Sequence, residues 1–102
     1  MIRLSLVIPT YNRAAPLLAA LESVVRQDLP PQEWECVVVN NNSPDDTEAR
    51  FGAFAAAHPG VTLRMVREES PGVSYARNRG LAEARGGIVV FIDDDERCLL
   101  YT

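Results

Sequence analysis

Four short apolar runs punctuate the chain, and between them apolar residues recur at helical spacing. Leu4-Ser5-Leu6-Val7-Ile8 predicts a first strand, stopped by Pro9. From Ala14 to Gln27 the residues Leu17, Leu18, Leu21, Val24 and Val25 stand at i, i+1, i+4, i+7 and i+8, one face of a helix closed by Pro30-Pro31. Glu35-Cys36-Val37-Val38-Val39 predicts a second strand. In the turn that follows, Ser43 has the chemistry of an N-cap and Pro44 suits a first helical position. Asp45 and Asp46 complement the positive end of a helix dipole, so a second helix is expected to run to about Ala57, with Phe51 and Phe54 inward and His58-Pro59-Gly60 as its stop. Residues 61–66 predict a third strand and residues 74–85 a third helix, ended by Gly86-Gly87. Along that helix Ala76, Gly80 and Ala84 form a stripe small enough to let it lie close on a sheet.

The last run, Ile88-Val89-Val90-Phe91-Ile92, is apolar without alternation and reads as a strand buried on both faces. It ends in Asp93-Asp94-Asp95-Glu96. Carboxylates crowded in this way repel one another unless a cation sits among them, and a hard divalent ion with oxygen ligands, Mg²⁺ or Mn²⁺, is the simplest such partner. Strand and helix alternating throughout predict βαβ units and a parallel sheet. The fold class is therefore α/β: a Rossmann-like open, mainly parallel four-stranded sheet flanked by helices. Ligands of such sheets bind outside the carboxyl ends of the strands. The polar segments Thr10-Tyr11-Asn12-Arg13, Asn40-Asn41-Asn42-Ser43, residues 68–74 and residues 93–96 should therefore share one edge.

A chain of 102 residues, 47% hydrophobic and 24% charged, suits one small globular domain. A net charge of −4 argues against general nucleic-acid binding, which needs a basic stripe. No apolar run approaches the ~20 residues of a membrane span, and the amino terminus enters a strand pattern without a secretory signal. Cys36 and Cys98 have no Cys or His neighbour at zinc-ligand spacing. The expected compartment is reducing and cytoplasmic, with a longer parent enzyme at the inner face of a membrane as one possibility.

Four stretches, Val7 to Arg13, Val38 to Thr47, Gly72 to Gly80 and Phe91 to Asp95, stand at the ends of four successive strands. In that order they resemble the nucleotide-sugar-binding half of a family-2 glycosyltransferase with the GT-A fold. The resemblance covers residues 3–96 and makes the fold a partial GT-A fold. It implies an enzyme that moves a sugar from a nucleotide diphosphate, commonly UDP, to a saccharide, lipid or protein acceptor. By the same resemblance Pro9, Thr10, Tyr11 and Asn12 line the base and ribose pocket, and Asn40 meets the base where the family usually has Asp. Arg77 faces the base or diphosphate and Asp93 the ribose. Asp94 is the variable middle residue, grouped with the nucleotide side, and Asp95 binds the Mn²⁺ or Mg²⁺. On local grounds alone Tyr11 could equally cover the sheet edge, and Asp45 and Asp46 are dipole-complementing residues and not ligands.

Residues 1–96 are thus expected to form the donor-binding half, and residues 97–102, Arg97-Cys98-Leu99-Leu100-Tyr101-Thr102, an apolar tail foreign to the family pattern. No residue is a candidate for the general base on the acceptor hydroxyl, so the chain is expected to be incomplete, with transfer by it alone weak or absent. Bare apolar surface and unpaired strand edges predict a homo-oligomer. The competing reading is a non-catalytic nucleotide-binding or self-associating module. A receiver domain would want its acidic pair after the first strand, where Thr10-Tyr11-Asn12 stands.

Overall fold

The computed structural model describes residues 1–94. Four strands and three helices alternate: β1 (Leu4–Thr10), α1 (Ala14–Val24), β2 (Trp34–Asn40), α2 (Thr47–Ala57), β3 (Thr62–Arg67), α3 (Val73–Glu83) and β4 (Ile88–Phe91). A 3-10 turn, Pro31–Glu33, leads into β2. All pairings are parallel, in the order β3-β2-β1-β4. The chain steps outward from β1 to β3, then returns to place β4 on the other side of β1. The two directions diverge between β1 and β4, a topological switch point of the kind at which open α/β sheets bind ligands. Among the described residues no helix is long and apolar enough to cross a membrane.

Strand alternation divides the core into two layers. Leu6, Ile8, Cys36 and Val38 face α1 and α2, where they meet Leu17, Leu21, Val24, Phe51 and Phe54. Val7, Val37 and Val39 face α3, through Ala76. α3 lies close because its inner stripe is small. A methyl group at Gly80 would overlap Val7 Cγ1 and approach Val39 Cγ2 to 3.2 Å.

Two expectations change. Pro9 does not stop β1; the strand runs on to Thr10, paired with Asn40. The Val7 carbonyl accepts from the Ile92 amide on the β4 side, and the Thr10 carbonyl accepts from the Asn41 amide on the β2 side. Pro9 shares the phase of Val7, so its missing N–H points towards β4, where the pairing already ends at Val7 and Phe91. β4, in turn, is not buried on both faces. It pairs with β1 alone among the described residues, and Ile88 and Phe91 are exposed while Val89 and Val90 are half-buried.

At the amino end of the sheet, on the α3 side, sits a buried carboxylate. Glu35 is fully buried in β2. It accepts from the Ser5 hydroxyl at 2.6 Å, the Arg85 amide at 2.8 Å and Arg64 Nε at 3.0 Å. Arg64 also binds the Glu83 carboxylate at 3.1 Å and the Glu83 carbonyl. The Ser5 hydroxyl oxygen accepts from the Gly86 amide. The group therefore ties the end of α3 and the turn into β4 to the two central strands. Burial alone would push the Glu35 carboxyl up; the Ser5 hydroxyl, the Arg85 amide and Arg64 outweigh it and hold it below its ordinary 4.5.

Gly80→Ala should destabilise the fold by about 1–3 kcal/mol through overpacking against Val7, because the helix-propensity gain of roughly 1 kcal/mol does not offset the overlap. Urea denaturation at neutral pH reads this directly, and an unchanged midpoint would refute the close approach. A carboxyl whose folded pKa lies below its unfolded value stabilises the fold above the unfolded value and loses that contribution as pH falls through the folded one. Glu35→Gln should therefore lower stability by about 1.5–3 kcal/mol at pH 7 and by progressively less below the ordinary 4.5. Chemical denaturation at several pH values checks this, and a loss independent of pH would contradict it.

Candidate nucleotide site at the carboxyl edge

Four loops meet at the carboxyl ends of the strands, and each join is a specific hydrogen bond. The Asn12 amide donates to Ser43 Oγ at 2.9 Å, linking the loop after β1 to the loop after β2. Asn12 and Asn42 both take left-handed conformations, φ 53° and 63°, which asparagine tolerates better than most side chains. The Asp45 carboxylate accepts from the Thr47 amide and hydroxyl and, at 3.4 Å, from the Ala14 amide at the start of α1. One carboxylate thus serves the first turns of two helices, whose positive dipole ends favour it. The Thr47 hydroxyl, opposed by desolvation and aided by the two amides, holds the Asp45 carboxyl below its ordinary value.

This arrangement corrects the assignment of the cap. α2 begins at Thr47, later than Pro44 predicted, and Asp45 rather than Ser43 receives its amide. Ser43 is drawn away because its hydroxyl oxygen faces Asn12 and its own amide donates to Asn40 Oδ1 at 2.9 Å.

Across the switch point, Asp94 closes the edge. It is only 6% exposed. Its Oδ2 accepts from the Thr10 hydroxyl at 2.9 Å, and its Oδ1 lies 3.3 Å from Arg13 Nη1. Asp93 beside it is exposed. Asp95, the expected metal ligand, lies outside the described residues, as do Glu96 and the apolar tail. Among the described residues no three carboxylate, His or Cys groups cluster as a cation site. With Asp94 directed to Thr10 and Arg13, the described residues do not by themselves compose one.

A cavity of about 120 Å³ opens at this edge, lined by Pro9, Thr10, Tyr11, Asn41, Val73 and Ala76. A second, of about 310 Å³, shares Tyr11, Asn41 and Val73 with it and adds Pro71 and Gly72. Pro9, Thr10 and Tyr11 are therefore together, with Tyr11 55% exposed and available to a flat ligand. Asn12 contributes backbone to the loop clasp. Arg77 is exposed on α3, with its guanidinium carbon 5.6 Å from the centre of the Phe91 ring, a cation–π contact. Asn40 is not on the cavity wall. It is 1% exposed, with Oδ1 held by the Ser43 amide and Nδ2 buried without a hydrogen-bond partner among the described residues. Its neighbour Asn41, not singled out from the sequence, takes the wall position. The phase of β2 carried the signal: residue 41 continues the side of Val37 and Val39, the side α3 covers.

An open parallel sheet with a cavity at the carboxyl ends of its strands defines a class of ligand-binding α/β domain. The model of glycosyl transferase family 2 matches residues 5–100, and the chain belongs to that family. The glycosyltransferase AglE of Haloferax volcanii is 33% identical over 91 residues, which are 89% of this chain and 30% of AglE. The mannosyltransferase PcManGT from Pyrobaculum calidifontis, in complex with GDP-Man and Mn²⁺, matches with a TM-score of 0.90 at 35% identity, covering 95% of this chain and 28% of that one. Residues 1–349 of TarS from Staphylococcus aureus, in complex with UDP, match with a TM-score of 0.85 at 29% identity, covering 98% of this chain and 29% of that one. The sheet and its three helices are those of the GT-A fold of these neighbours, and the chain spans less than a third of each.

Thr10→Val should remove the hydroxyl from a buried carboxylate at nearly constant shape, at a cost of about 1–3 kcal/mol. Thr10→Ser, which keeps the hydroxyl, should lose less. Equal losses in the two variants, measured by urea denaturation, would show that the bond to Asp94 contributes nothing.

Proposed function

We propose that the chain is the donor-binding half of a glycosyltransferase, taking the nucleotide of a nucleotide diphospho-sugar in the cavity between Tyr11, Asn41 and Val73 for transfer to a saccharide, lipid or protein acceptor. The observation that carries this reading is the convergence of Pro9, Thr10 and Tyr11 with Asn41 and Val73 around one opening at the carboxyl edge of the sheet. The relatives add support, with UDP bound to TarS and GDP-Man to PcManGT.

The parts have distinct tasks. Tyr11 offers an exposed aromatic face to a base, a contact worth about 1–3 kcal/mol where bases stack on aromatic rings. Thr10 faces Asp94, whose fixed position sets where Asp93 leaves the strand towards a ribose. The amino end of α3, from Gly72 to Ser74, points amides and a positive dipole end at the diphosphate. Arg77, steadied on Phe91, supplies a cation for the same charge. Asp95 is the residue proposed to hold Mn²⁺ or Mg²⁺, and such an ion, when bound, neutralises charge on a departing nucleoside diphosphate.

Calorimetric titration of UDP and of GDP into the chain, with Mn²⁺ and then with EDTA, tests the proposal. One nucleotide should bind, more tightly with the ion, and Asp95→Ala should remove the difference. Tyr11→Ala should weaken binding about tenfold or more. Absence of binding by both nucleotides in both conditions would refute the donor site and favour the self-associating module.

A further inference from the structure

We propose that Asn41 is a positioning residue whose side-chain amide holds residues 68–72 in place as a wall of the cavity, and that the amide, not merely a polar group, is required. The inference rests on the donor-site reading above for its consequence, but its geometry stands apart from it.

Asn41 is 8% exposed. Its Nδ2 donates to the Glu68 carbonyl and to the Ser70 carbonyl, each at 2.8 Å, and its Oδ1 accepts from the Gly72 amide at 3.0 Å. Two N–H donors and one acceptor are therefore matched by two carbonyls and one amide from a single segment. Among uncharged or charged side chains of this length, only a primary amide presents that set. The segment has no regular secondary structure, Pro71 has no amide hydrogen, and Gly72 has φ +124°, a conformation that favours glycine. Its ends are tied by backbone bonds, the Glu68 amide to the Asn40 carbonyl at 3.0 Å and the Gly72 carbonyl to the Ala76 amide at 3.2 Å. Between them its other ties are the Ser70 amide to Glu68 Oε2 at 3.0 Å and the Glu68 carboxylate 3.8 Å from Arg79. The Asn41 backbone is itself fixed, because its amide donates to the Thr10 carbonyl at 2.9 Å. Asn41 thus joins the end of β1 to the segment that starts α3, and it lines both cavities with the residues it holds.

A carboxylate in the same place would turn two attractions into oxygen–oxygen repulsions. Once protonated it recovers one donor. Asn41→Asp should therefore behave as a pH-dependent lesion, whereas Asn41→Ala should be a constant one. The titratable and charged groups on the elements around the position include Tyr11, Glu68, Glu69 and Arg79, and both variants retain them all, so the difference between the variants isolates residue 41.

Amide hydrogen exchange at Gly72, read residue by residue without nucleotide, is the direct test. In the wild type the Gly72 amide should be protected. In Asn41→Asp its protection should fall about tenfold at pH 7 and partly return at pH 5, and in Asn41→Ala it should be lost at both. The amides of Val37 and Val39 should keep their protection in each variant, which separates loss of the wall from loss of the fold. UDP or GDP affinity should fall about tenfold in both variants, with recovery at pH 5 only in Asn41→Asp. An unprotected Gly72 amide in the wild type, or protection indifferent to Asn41→Ala, would overturn the inference. So would unchanged nucleotide affinity with the Gly72 amide set free. If the wild type binds neither nucleotide, the proposed function fails, and the exchange data still decide whether Asn41 holds the segment. Should Asn41→Ala not fold, Asn41→Asp compared at the two pH values remains decisive.

Discussion

The distance between α3 and the sheet governs the site. Gly80 packs on Val7 and Val39 with no room for a methyl group, and Ala76 follows one turn towards the helix start. A helix seated that low brings its first turn, from Val73, level with the ends of β1 and β2. There it can wall a cavity together with Thr10, Tyr11 and Asn41. Larger residues along the stripe would lift α3, and the carboxyl edge would lose its wall. Position of the helix, more than any single polar contact, makes the four loops one site.

The two ends of the sheet divide the remaining work. At the amino end, Glu35 is desolvated yet satisfied by Ser5, Arg64 and the Arg85 amide, and Arg64 reaches on to Glu83 at the end of α3. A buried charge arranged so completely serves registration more than net stability: it fixes where α3 ends and where β4 begins. At the carboxyl end the polar groups are arranged differently. Some are committed to loops, as in Asn41, Ser43 and Asp45, while Tyr11, Asp93 and Arg77 stand exposed. The amino end locates α3 and β4; the other end uses the location.

Much of this was legible in the chain. Element order, parallel topology, the small stripe on the third helix and the edge that gathers the polar segments all follow from periodicity and from the βαβ rule. Four points did not. Pro9 looked like a stop because a lone sequence does not show which neighbour a strand amide faces. The apolar run 88–92 looked buried on both faces because composition reports hydrophobicity and not sheet order; among the described residues β4 pairs with β1 alone. Ser43 had cap chemistry, but the hydroxyl was claimed across loops by Asn12, a contact 31 residues away in sequence. Among three consecutive asparagines, side chains differ only by strand phase. Knowing that α3 covers the Val37 and Val39 side is what separates Asn41, on the wall, from Asn40, beneath it.

Strand phase also changes how the acidic run reads. In a D-x-D pattern the middle residue is free to vary when it merely points away from the ligand. Here Asp94 points back into the sheet edge, where the Thr10 hydroxyl and Arg13 meet it. A carboxylate met from both sides pins residue 94 to the end of β1, while Asp93 beside it is exposed. What fixes Asp94 is thus not mutual repulsion among acidic groups but a buried hydrogen bond to the strand across the switch point, with Arg13 beside it. On this view Thr10 and Asp94 are read together, as the contact that joins the end of β1 to the start of the acidic run.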